Sequence, residues 1–180
     1  MFINPADYPF TAELEAAYLP IRKEMETLSP GIFTEWPQKF LYESGWNVFG
    51  LYAYGKKLDR NCSLCPQTTQ AVEKIPGLFI AGFSWLEAGT HIKPHVGYTK
   101  AVLRCHLGLV VPNGCVMRVG DESRTWQEGK TLIFDDTTEH EVWNRSPSTR
   151  VVLLLDFKRP GQDPDVELEA PNWVRQRVSV

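Results

Sequence analysis

The chain has 180 residues, 43% of them apolar, with six tryptophans and a formal net charge of −3. That length and apolar content suit one globular unit with a substantial core and exclude a disordered chain, while the slightly acidic balance argues against a nucleic-acid partner. The longest apolar runs, such as Val151 to Leu155, fall far short of a bilayer span, and MFINPADYPF lacks a signal peptide's basic-then-apolar layout, so no membrane partner and a cytoplasmic location are expected.

Between Thr11 and about Leu28 the apolar residues Leu14, Tyr18, Ile21, Met25 and Leu28 recur at three- and four-residue steps. This spacing predicts a helix with Thr11 as its N-cap and a kink or break at Pro20. Residues 30–70 are mixed, rich in aromatics (Trp36, Phe40, Trp46, Tyr54 among them) and ending in the loop-like KKLDRNCSLCPQ. Residues 1–70 therefore read as a small helical or irregular cap over a barrel mouth. From Leu78 onward the pattern becomes strand, turn, strand. Strands are predicted at 78–86, 101–111, 115–119, 130–135, 140–144 and 150–157, with turns at EAG, PNG, GDES and QEG. Short strands at this spacing predict a mainly β sandwich or barrel over 75–160, with a helical N-terminal layer and a C-terminal tail at 161–180.

Cys62 and Cys65 form a CxxC, but a zinc ribbon wants a second such pair, and Cys105 and Cys115 stand ten positions apart. Free thiols in a reducing compartment are the favoured reading, with structural zinc the alternative.

The strand AVLRCHLGLVV carries more information. Successive side chains alternate between faces. One face presents Ala101, Leu103, Cys105, Leu107, Leu109 and Val111, and the other Val102, Arg104, His106, Gly108 and Val110. A solvent-facing strand would carry more Lys, Glu and Thr, so the second face reads as the inside of a pocket. Arg150 opens another apolar strand, and a buried arginine demands an anion, although a lone arginine there also suits a strand end. His95 lies in KPHVG and His140 in DDTTEHEVW. Each alone reads as a surface or core histidine. Together with two inward arginines they suit a non-haem iron centre with an acid co-substrate.

The stretches GTHIKPHVGYTKAVLRCHLGLVVP, TWQEGKTLIFDDTTEHEVWNRS and TRVVLLLDF closely resemble the aspartyl/asparaginyl β-hydroxylase family, over roughly residues 75–160 and more weakly over 30–70. The resemblance implies a double-stranded β-helix, that is, a cupin-like jelly roll, using Fe(II), 2-oxoglutarate and O2. It implies His95 and His140 as the two iron ligands, Arg150 as the partner of the far carboxylate of 2-oxoglutarate, and Ser84 as the hydroxyl assisting it. His106 then lies near the other carboxylate, Arg104 recognises a substrate carboxylate, and Asp136 stands beside the metal without ligating it. Gly97, two residues after His95, replaces the carboxylate of the usual facial triad. That replacement is shared with 2-oxoglutarate halogenases, which keeps halogenation as an alternative beside a non-catalytic cupin-like sensor. The implied substrate is an aspartyl/asparaginyl-type molecule, free, carrier-bound or within a peptide. Trp143 and Arg118 are candidate substrate contacts, with packing and surface charge as the competing readings, and Asp135, Asp136, Glu139 and Glu141 are candidates for orienting the imidazoles.

Overall fold

From Leu78 onward successive strands pass back and forth between two antiparallel sheets, except that Cys115–Val119 and Glu122–Arg124 are paired neighbours within one of them. The structure, a computed structural model, describes residues 1–161; the predicted tail lies outside the described residues from 162 on. The N-terminal part supplies β1 (Phe2–Ile3), α1 (Phe10–Ala16), α2 (Tyr18–Thr27), β2 (Thr34–Glu35), β3 (Trp46–Ala53), β4 (Lys56–Lys57), α3 (Asp59–Leu64) and α4 (Pro66–Val72). There follow β5 (Leu78–Leu86), β6 (His91–His95), β7 (Val102–Val110), β8 (Cys115–Val119), β9 (Glu122–Arg124), β10 (Thr131–Phe134), β11 (His140–Asn144) and β12 (Arg150–Lys158). The larger sheet runs β1-β10-β7-β12-β5-β3-β2, with β4 beside β3, and the smaller runs β6-β11-β8-β9. Two facing four-stranded layers, β10-β7-β12-β5 and β6-β11-β8-β9, make the double-stranded β-helix.

The central strand β12 is apolar almost throughout because it is buried on both faces. Val151, Leu153, Leu155 and Phe157 join Leu14, Ile21, Met25 and Val72 in a core between the larger sheet and the helices. Val152 and Leu154 instead join Ile92, Met117, Val119 and Val142 in a second core between the two sheets. Each fully buried aliphatic side chain contributes about 1.5–3 kcal/mol, so the two cores together clamp the larger sheet from both sides.

The helical layer differs from expectation in its details. The predicted helix is two, divided at Ala17, which places Pro20 in the first turn of α2, where its missing N–H costs no hydrogen bond. Thr11 is not an N-cap; its hydroxyl donates to the carbonyls of Pro5 and Tyr8 from inside the first turn. The loop-like KKLDRNCSLCPQ begins with the short strand β4 and continues into α3 and the start of α4. These helices do not cap a barrel mouth, since they pack on the sheet face opposite the smaller sheet. Cys62 and Cys65 are buried in that layer, and the Cys62 thiol donates to the Leu51 carbonyl at 3.3 Å.

Candidate active site

Strand register lays out the site. Across β7, β12 and β5, Arg104 stands beside Asp156 and then Ile80, His106 beside Leu154 and Gly82, and Gly108 beside Val152 and Ser84. Phe134 and Leu132 of β10 flank Arg104 and His106 on the other side. The polar face predicted for AVLRCHLGLVV is thus the face turned toward the smaller sheet. Gly108 is required there, because a Cβ would collide with the Gln127 carbonyl of the loop that carries Trp126.

His95 and His140 are direct cross-strand partners in the β6–β11 pairing, with ring centroids 4.1 Å apart. Each Nδ1 meets a backbone carbonyl two residues earlier, Lys93 at 2.7 Å and Thr138 at 3.0 Å. A carbonyl only accepts, so Nδ1 carries the proton and Nε2 keeps its lone pair. Burial lowers both pKa values, and His95 beside it helps bring that of His140 to about 3. The pair is therefore held neutral in the tautomer that a metal ion needs. No third His, Cys, Asp or Glu among the described residues completes a metal-ligand cluster with them.

Arg150 is 1% exposed, and its Nε and Nη1 have no hydrogen-bond partner among the described residues. Its guanidinium lies 4.8 Å from the Trp126 ring, and burial pushes its pKa down to about 10. Trp126 also donates its indole N–H to His106 Nδ1 at 3.2 Å. His106 Nε2 must then carry the other ring proton, and it too is buried without a partner. Burial, reinforced by Arg150 and Arg104, keeps His106 neutral. Ser84 lies on the same face, diagonal to Arg150 across β5 and β12, and its oxygen accepts from Trp46 Nε1 at 3.1 Å. Its own proton remains available. Unpaired buried donors cost free energy, and here several of them share one face.

At the opposite end Arg104 is paired through its Nε and Nη2. Its Nε and Nη2 meet the two oxygens of Asp156 at 2.7 and 2.8 Å, and Nη2 lies 3.5 Å from Asp136 Oδ2. Expected as the binder of a substrate carboxylate, it is paired with carboxylates of this chain. Asp136 is 1% exposed with Oδ1 unpartnered, and burial raises its pKa to about 6 against the pull of Arg104. Its carboxyl overlaps the position a Cβ on residue 97 would take. Gly97 is glycine because Asp136 fills its side-chain space.

The other candidates lie outside this constellation. Trp143 stacks on His91 at 5.4 Å, and Arg118 bonds Glu139 and Glu141, on the outer face of the smaller sheet. Asp135 pairs with Arg159. None of the three acids Asp135, Glu139 and Glu141 orients the histidine pair; the backbone carbonyls do. Sequence reasoning passed over Trp126 and Asp156. Trp126 sits in a loop with no periodicity to mark it, and Asp156 ended an apolar run that hinted at a buried acid.

The profile of the aspartyl/asparaginyl β-hydroxylase family matches residues 15–160. The chain belongs to that family. An ornithine lipid ester-linked acyl 2-hydroxylase from Rhizobium tropici is 39% identical, covering 98% of this chain and 66% of that protein. Human aspartyl/asparaginyl β-hydroxylase is 36% identical, covering 78% of this chain and 19% of the human protein. The chain thus spans about two thirds of one relative's length and a fifth of the other's. Among solved structures, a Pseudomonas putida prolyl-4-hydroxylase aligns with a TM-score of 0.49 at 15% identity, over 84% of this chain and 88% of that one. No helix among the described residues is long and apolar enough to cross a membrane.

Proposed function

We propose that the chain is an Fe(II)- and 2-oxoglutarate-dependent hydroxylase of unactivated C–H bonds. One observation carries the reading: a fully buried arginine with two unpartnered nitrogens faces the same interior as an unpartnered imidazole N–H and a neutral histidine pair. A buried cation lacking an anion is stabilised by a ligand that brings one. Arg150, assisted by the Ser84 hydroxyl, binds one carboxylate of 2-oxoglutarate, and His106 donates from Nε2 to the other. His95 and His140 hold the metal through Nε2. Asp136 serves as an acceptor beside it, since Arg104 already engages its Oδ2. When bound, iron with O2 and 2-oxoglutarate supplies the oxidising power that places oxygen on the substrate and leaves succinate and CO2. The residues around it exclude water and hold the imidazoles neutral.

The resemblance that implies an aspartyl/asparaginyl-type substrate also assigns Arg104 to a substrate carboxylate. The Arg104–Asp156 pairing already engages two of that guanidinium's nitrogens. The acyl hydroxylase among the relatives makes an aliphatic chain the second reading. Succinate formation from 2-oxoglutarate, measured after anaerobic loading with Fe(II) and exposure to air, tests the activity. Turnover is expected in the wild type and absent in His95→Ala. Retained 2-oxoglutarate binding without any turnover would instead indicate a sensor.

A further inference from the structure

Trp126 touches both groups assigned to the co-substrate, Arg150 through its ring face and His106 through its indole N–H. It stands in the irregular segment between β9 and β10, so its place depends on what holds that segment. Two glycines first let the segment lie against β7. The Gly108 N–H donates to the Lys130 carbonyl at 3.1 Å, and the Gly129 N–H donates to the Gly108 carbonyl at 2.9 Å. Gly129 has φ of 73°, and a Cβ there would stand 3.2 Å from the Tyr18 ring of α2. Backbone and helix side chain therefore meet with no room between them.

The polar groups around this contact come from the helical layer. Glu128 Oε2 accepts from Arg22 Nη1 at 2.7 Å and from the Tyr18 hydroxyl at 3.1 Å. Arg22 Nη1 also donates to the Tyr18 oxygen at 2.7 Å. Glu128 Oε1 accepts from the Val111 N–H at 3.1 Å, so one carboxylate joins α2, the end of β7 and the Trp126 segment. Glu15 of α1 closes the segment's other end. It accepts from the Thr131 N–H at 2.9 Å, the Thr131 hydroxyl at 2.8 Å and Lys130 Nζ at 2.9 Å. The Arg22 and Glu128 side chains are 30% and 40% exposed, and an ion pair so open to water stabilises by only about 0–1 kcal/mol. What the group fixes is geometry: a displaced Glu128 carries Trp126, two residues away, off both Arg150 and His106.

We propose that Tyr18, Arg22 and Glu128 are positioning residues for the 2-oxoglutarate site, holding from outside the segment that sets Trp126 against Arg150 and His106. The proposal rests on the hydroxylase reading and adds to it residues that touch neither metal nor co-substrate.

Titration of 2-oxoglutarate into the Mn(II)-loaded protein tests it. Glu128→Ala should weaken 2-oxoglutarate binding about tenfold. Tyr18→Phe, which keeps the ring beside Gly129, should weaken it about threefold and is mild enough to fold should the first variant fail. Mn(II) affinity should hold in both, because His95 and His140 belong to the other sheet. Glu73→Ala is a matched control, since Glu73 likewise accepts from a tyrosine, Tyr52 at 2.7 Å, and a cation, Lys57 at 2.6 Å, on β3 and β4. It should leave 2-oxoglutarate binding unchanged. Beside Trp126→Phe, Glu128→Ala should cost less than it does in the wild type, because it acts through the indole. Unchanged 2-oxoglutarate affinity in the folded variants overturns the proposal and leaves the hydroxylase reading standing. So does an equal loss in Glu73→Ala, a parallel loss of Mn(II) affinity, or a fully additive loss beside Trp126→Phe, each of which marks a general effect. A wild type that binds no 2-oxoglutarate overturns the hydroxylase reading and the proposal with it.

Discussion

Arg104 and Arg150 occupy one face of one sheet, 8% and 1% exposed, yet their surroundings are opposite. Arg104 has both oxygens of Asp156 in a bidentate pair and Asp136 close by. Arg150 has the Trp126 ring beside it and two nitrogens with no partner. Burying a cation costs several kcal/mol unless an anion meets it, so the first arginine is part of the folded architecture and the second is held ready at the expense of stability. The difference separates what the fold uses from what it reserves for a ligand. The sequence resemblance assigns Arg104 to a substrate carboxylate, whereas in the structure its Nε and Nη2 meet Asp156.

The largest effect should come from breaking the paired end. Arg104→Met leaves Asp156, which is fully buried, without its cation, and stability should fall by about 3–5 kcal/mol in urea unfolding. A loss below about 1 kcal/mol would mean that the two acids are neutralised some other way.

Gly97→Ala sharpens the comparison by displacing Asp136 from the paired end. Overpacking should cost about 1–3 kcal/mol, and metal affinity measured by Mn(II) titration should fall roughly 10–100-fold. For the same reason Gly97→Asp should not restore a conventional triad unless Asp136 is shortened as well.

Acid probes the neutral imidazoles between the two arginines. His140 has a folded pKa of about 3 against an ordinary 6.5, and burial lowers those of His95 and His106 too. The unfolded chain then binds protons that the folded chain refuses. The stability these groups contribute is present above pH 6.5 and is lost as pH falls through that value toward 3. The slope for each histidine is on the order of 1 kcal/mol per pH unit. Asp136, raised to about 6, has the opposite sign and offsets one histidine below that pH. Urea midpoints of the chelated protein between pH 7 and pH 4 should therefore decline; a flat profile would contradict the neutral assignment.

Trp126→Phe is the mildest break. It removes one hydrogen bond, worth about 0.5–1.5 kcal/mol, and frees the tautomer of His106. A measurable weakening of 2-oxoglutarate binding should accompany the small loss of stability.

Strands β5, β7, β8, β10, β11 and β12 were legible because apolar runs between turn residues mark buried strands. β6 was not: HIKPH is polar and contains Pro94, which is tolerated because β6 is the edge of its sheet. The short helices α3 and α4 carry too few turns for a periodic signal, and Pro66 begins the second of them. Alternation along β7 was enough to turn Arg104 and His106 inward. It could not show which arginine has a partner, since Asp156 lies 52 residues from Arg104 and meets it only through strand pairing. Gly97 was legible as a missing carboxylate, whereas Asp136 filling its space depended on the turn before β11.

The central claim is tested most directly by titrating 2-oxoglutarate into the metal-loaded wild type and Arg150→Met, with thermal melting of both proteins free of 2-oxoglutarate. The account predicts that the variant melts at the same or a higher temperature, because an unpaired buried cation is gone. It also predicts that the variant loses at least about 100-fold in affinity for 2-oxoglutarate. A variant that melts lower and binds 2-oxoglutarate as well as the wild type would contradict it.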